Sequence, residues 1–144
     1  MSTDPNRTLA HRVVEEIFNQ GKLNLVDELF VPNFVEHDLP PGYPQGSAGF
    51  KQWVADLRRA FPDFHLTMED FVGEGDKFSV RLTAEGTFKE PFLGIAPTDK
   101  QAVWSQLHLI HVAGGKCAEA WGVVDRLGML QQLGVIAVRQ PLAA

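Results

Sequence analysis

Pro62 divides this chain into two kinds of pattern. Before it, apolar residues recur at three- and four-residue spacing, and after it they alternate with polar ones. A helix returns side chains to one face about every 3.6 residues and a strand every two, so the change of period calls for helices first and strands after. A chain segregated in this way folds as an α+β domain, with helices gathered on one face of a mainly antiparallel sheet.

Local signals bound each element. Asp4-Pro5 reads as an N-cap and first helical residue, and Leu9, Val13, Ile17 and Phe18 keep helical spacing until Gln20-Gly21. Asn24 opens a short second helix through Phe30, stopped by Val31-Pro32. The stretch "NFVEHDLPPGYPQG" is a short extended piece and then a Pro/Gly loop. Ser47 caps a third helix carrying Phe50, Trp53, Val54, Leu57 and Phe61 on one face. Phe64–Val72, Lys77–Phe88, Ala102–Val112 and Lys116–Val124 read as four strands, joined by "GEGD", "KEPFLGIAPTDKQ" and "AGG". Arg126–Leu133 closes as a helix with Gly134 at its end. Three helices cannot touch a curved sheet everywhere, so a pocket is expected between the layers.

Composition narrows the partners. With 144 residues, 44% of them hydrophobic, the chain can bury a core as a single domain. No run approaches the roughly 18 apolar residues of a membrane span. The N-terminal "MSTDPNRTLAHRVVEE" is too polar for a signal peptide. The lone Cys117 excludes an internal disulfide and suits a reducing cytoplasm, the expected location. A net charge of −5 without a basic run argues against nucleic acid. The expected partners are a small molecule and a second copy of the chain.

Motifs for metal, phosphate or nucleophilic chemistry are missing. His37, His65, His108 and His111 have neither Cys partners nor an i, i+4 helical pair, so no metal or cofactor is expected. Cys117 has only Lys116 as a basic neighbour, and Trp53 and Trp121 read most simply as core residues. In "AVWSQLHLIHV" one face carries Trp104, Gln106, His108 and Ile110, and the other Val103, Ser105, Leu107, Leu109 and His111. An aromatic, an amide and an imidazole in a row differ from a core stripe. Alternation alone leaves a pocket face, a wet face and an interface face all open.

The stretches "FVEHDLPPG", "FPDFHLTMEDFVGEGD", "GTFKEPFLGIAPTDK", "HLIHVAGGKCAEAW" and "MLQQLG" resemble the SnoaL-like polyketide (ester) cyclases, within the nuclear-transport-factor-2-like cone folds. The resemblance covers about residues 8–134 and leaves 135–144 as a tail. It implies a cone-shaped α+β barrel, a homodimer, an apolar pocket and no cofactor. It also implies intramolecular ring closure of a polyketide-type substrate, in which a pocket carboxylate takes a proton alpha to a carbonyl and later returns it. Gln106 and His108 fall on the supporting positions, where they would hydrogen-bond substrate oxygens. Glu36 and His37 would line the pocket mouth, with Phe18, Trp53, Trp104 and Trp121 contacting substrate. The acid of the pattern follows the Trp, and here that residue is Gly122.

Glycine moves no proton, so three readings stand. The acid could be Asp125, Glu36 or Asp38. The reaction could be another one, such as a cyclisation shaped by the pocket or the opening of an epoxide by water or by ring closure. The protein could also bind a ligand without turning it over. The β-hairpin decides what Asp125 can do. A three-residue "AGG" loop sets Gln106 opposite Gly122 and turns Asp125 away, whereas a Gly114-Gly115 turn sets Trp104 opposite Asp125. Asp125 also precedes a helix, where Asp is a favoured cap. Gly122→Asp is expected to fold and to restore the acid.

Overall fold

The computed structural model describes residues 4–138, so the last six residues of the expected tail lie outside the described residues. Helix α1 (Pro5–Arg12) starts on Asp4, whose side chain accepts the Asn6 N–H at 2.9 Å. It then widens into a π-helix over Val13–Asn19 and ends at Gly21, which has φ 73°. The widening is absent from the sequence pattern. Arg58 Nη1 donates to the carbonyl oxygens of Phe18 and Asn19 at 2.6 and 2.9 Å, satisfying backbone acceptors at the end of that segment.

A single 3₁₀ turn (Leu23–Leu25) leads into α2 (Val26–Leu29), which is shorter than expected because β1 (Phe30–Glu36) begins at once. β1 runs parallel to β5 (Lys116–Val124) and pairs at Phe30↔Cys117 and again at Val35↔Glu119. Pro32 sits in the irregular stretch between those pairs. Its missing N–H costs nothing there, since β1 is an edge strand. Helix α3 (Ser47–Ala60) has Gly46 rather than Ser47 at its cap, with Ser47 as first helical residue. β2 (His65–Glu74), β3 (Lys77–Thr87), β4 (Gln101–Ala113) and β5 follow as an antiparallel meander, and α4 (Arg126–Gln132) closes the described chain.

The five strands lie in the order β1-β5-β4-β3-β2. The sheet curves against the helices as a cone but does not close, so the expected barrel is an open sheet. The core between the layers is rich in aromatic rings. Phe30 meets Phe50 at 4.6 Å and Phe34 at 4.8 Å between centroids, and Phe61 meets Phe88 and Trp104 at 5.5 and 5.6 Å. Each fully buried Phe contributes roughly 1.5–3 kcal/mol by leaving water. No helix among the described residues is long and apolar enough to cross a membrane.

Candidate active site

A cavity opens where the concave side of β3–β5 faces the π-helical segment and α3. Its walls are apolar: Val14 and Phe18 from the π-helix, Phe50 from α3, Phe34 from β1, and Val80 and Leu82 from β3. Out to its mouth it encloses ≈ 570 Å³ of atom-free space. Two titratable groups besides the Cys117 thiol reach its lining, Glu36 at the end of β1 and His108 in the middle of β4. Burial pushes the thiol up to about 12, so it remains protonated at neutral pH and is no nucleophile.

Desolvation dominates both remaining groups. Burial raises the Glu36 carboxyl to about 7, although the Asp38 backbone N–H donates to its Oε1 at 3.2 Å and opposes the rise. Burial lowers the His108 imidazole below its ordinary value, against the pull of the Asp38 charge, so the ring is neutral at pH 7. His108 Nε2 lies 2.9 Å from Gln106 Oε1, so in the neutral ring Nε2–H donates to that oxygen.

Gly122 explains how the imidazole fits. It lies directly across the ladder from His108, and a Cβ built there would stand 2.3 Å from His108 Nδ1. Only a residue without a side chain leaves the ring its place. The Gly122 N–H donates to Asp38 Oδ2, which fixes the Asp38 carboxylate beside the imidazole. A carboxylate therefore does stand near position 122, but it comes from the loop after β1 and not from β5.

The hairpin has the expected two-residue turn but keeps neither expected register along the strands. Gly114 and Gly115, with φ 57° and 76°, make a two-residue turn that pairs Ala113 with Lys116. A bulge then intervenes, because His111 faces Glu119 while Val112 faces Cys117, leaving Ala118 extra. Beyond it His108 faces Gly122 and Gln106 faces Val124, so the expected pairings of Gln106 with Gly122 and of Trp104 with Asp125 are both corrected. Asp125 is exposed, and its side chain accepts the Gly128 N–H at 3.0 Å, capping α4.

The expected site residues divide into three groups. Phe18, Glu36 and His108 share the cavity. Trp53, Trp104 and Gln106 line a second cavity nearby. His37 and Trp121 line neither cavity. There the rings stack at 4.6 Å, His37 Nε2 lies 2.6 Å from Glu119 Oε2, and His111 packs edge-on against Trp121 at 4.9 Å. The Asp38–Gly122 contact had no signal in the sequence, since it joins positions 84 apart. Among the described residues no three His, Cys, Asp or Glu side chains converge as metal ligands.

A cone of helices on an open curved sheet, with an apolar cavity holding one carboxyl and one imidazole, defines a small-molecule pocket fold. The chain belongs to the SnoaL-like polyketide cyclase family, whose profile matches residues 8–133. It is 29% identical over 119 residues to nogalonic acid methyl ester cyclase of Streptomyces nogalater, covering 81% of this chain and 89% of that protein. The structure of TsrD from Streptomyces laurentii superposes with a TM-score of 0.86 at 24% identity, over 94% of this chain and 99% of the other. Wild-type IdmH from Streptomyces antibioticus gives a TM-score of 0.76 at 33% identity, over 92% and 99%.

Proposed function

We propose that this protein is a cofactor-independent cyclase of an apolar polyketide-type ester or ketone, and that Glu36 is its acid–base group. The observation that carries this reading is the Glu36 carboxyl in the apolar cavity with His108, held near pH 7. A carboxyl so raised is a far stronger base than an exposed one and is still half ionised at neutral pH. Glu36 takes a proton from the carbon alpha to a carbonyl, and the enolate carbon attacks a second carbonyl of the same molecule. One C–C bond forms, and the resulting alkoxide recovers the proton from Glu36. Neutral His108 gives its single N–H to Gln106 Oε1, so it faces the cavity as an uncharged polar group and leaves the proton transfer to Glu36. The names of the cyclase relatives support a polyketide-type substrate.

The test is exchange of the alpha proton of a β-keto ester in D₂O. Wild type is expected to catalyse exchange, and Glu36→Gln to reduce its kcat by about 100-fold or more while still binding the ester. Exchange by Glu36→Gln at the wild-type rate would overturn the role of Glu36. Binding without any exchange by wild type would mean a ligand-binding module instead.

A further inference from the structure

The second cavity lies between α3, the loop after β3 and the start of α4, and encloses ≈ 410 Å³ of atom-free space out to its mouth. Its walls include Trp53, Phe92 and Trp104, a set of flat apolar faces. Two polar side chains line it, Gln106 and Arg126. The Gln106 carbonyl oxygen faces His108, so its amide N–H₂ is the end left for other partners. That nitrogen has no hydrogen-bond partner among the described residues, yet it is not a buried orphan, so it faces accessible space. Arg126 sits over the Trp53 ring at 5.8 Å and forms no ion pair among the described residues. Asp125, its neighbour, spends its carboxylate on the Gly128 N–H.

We infer that this cavity is a second binding site, for a planar aromatic or enolic ring carrying an anionic oxygen. Both polar side chains in its lining offer N–H donors, and the charge on Arg126 favours an anionic oxygen over the neutral acceptor oxygen of an alcohol or amide. The guanidinium is always charged, and its fork accepts a carboxylate through two parallel hydrogen bonds. The aromatic walls take the ring by offset or edge contacts. Apolar walls with a few convergent polar groups are the usual make-up of a ligand site. The Gln106–His108 hydrogen bond joins this cavity to the one that holds Glu36, so a ligand here would touch the far side of the same polar pair.

Calorimetric titration of the whole protein with 2-naphthoate and its neutral analogue 2-naphthamide tests the assignment without any turnover. Its outcome is independent of the role of Glu36. Wild type is expected to bind the carboxylate at least 10-fold more tightly than the amide. Arg126→Gln should abolish that preference and Arg126→Lys should retain part of it. Gln106→Glu, which puts an acceptor and a charge where a donor stood, should weaken the carboxylate at least 10-fold while leaving the amide within about 2-fold. Equal affinity of wild type for the two probes, unchanged carboxylate binding by Arg126→Gln, or no binding of the carboxylate at millimolar concentration would each overturn the proposal.

Discussion

Replacing Glu36 with Gln removes a carboxyl whose proton the fold holds to about pH 7, against 4.5 for a free side chain. At about 1.4 kcal/mol per pKa unit that rise corresponds to about 3 kcal/mol. The folded state binds the proton more tightly than the unfolded chain, so protonation favours folding. This contribution is complete below pH 4.5 and is lost as pH rises through about 7, where an apolar cavity must hold a charged carboxylate. Gln has nearly the same shape, keeps an oxygen for the Asp38 N–H, and carries no charge at any pH. The two proteins should be about equally stable at pH 4.5. At pH 8.5 the Glu36→Gln protein should be more stable by up to about 3 kcal/mol, a rise of about 1.5 M in urea midpoint for an m value of about 2 kcal/mol/M. Urea unfolding at both pH values measures this. A stability difference that does not change with pH would refute the desolvation argument, and so would a Gln variant less stable at pH 8.5.

Other outcomes follow from the same geometry. Wild-type kcat/KM should rise with pH through about 7 as Glu36 ionises, and stopped-assay pH profiles check it. Gly122→Ala should displace the His108 ring, cost roughly 1–3 kcal/mol and lower activity, and Gly122→Asp should do the same rather than restore an acid; thermal unfolding and exchange rates report both. Asp125→Ala should cost about 1 kcal/mol with kcat unchanged, while Asp125→Asn should leave both near wild type, as unfolding and kinetics would show. The outer sheet face exposes Leu107 by 53% and Val123 by 75%, so we expect a homodimer there that Leu107→Asp dissociates, visible by sedimentation equilibrium.

The elements legible in the sequence were those with a local cause. Alternation placed β2 to β5 within a residue or two of their observed ends, because each strand buries one face on the helices. Asp4-Pro5 marked the start of α1 because the cap and the proline act on the adjacent backbone. Val31-Pro32 misled for the opposite reason. Proline forbids a helix there, as read, but whether the chain then runs as a loop or an edge strand depends on β5, more than eighty residues away. The π-helical segment Val13–Asn19 likewise ends on a distant partner, Arg58, which donates to the Phe18 and Asn19 carbonyls.

The site divides along the same line. Along β4 alternation set Gln106 and His108 on one face but left open whether it met a pocket, water or a partner, and the structure lines the two cavities with them. His37 and Trp121 stand outside the two cavities, and the sequence could not show the bulge at Ala118 or the edge position of β1 that sets them there. The Trp121 ring meets His37 and His111 and lines neither cavity.

Gly122 is the residue whose meaning changed most between sequence and structure. Taken alone it looks like the loss of an acid. In the fold it makes two contacts that a side chain would prevent or disturb. It leaves room for His108 Nδ1, and it offers a backbone N–H to Asp38. Asp38 in turn donates its own N–H to Glu36, so a chain of hydrogen bonds runs from Gly122 through Asp38 to the carboxyl at about pH 7. The carboxylates near His108 thus come from the end of the edge strand and the loop after it, not from the centre of the sheet. An acid on β5 would be fixed by the strand pairing of His108. Glu36, the last residue of β1, shares the cavity with His108, and Asp38, in the loop after it, stands beside the same imidazole.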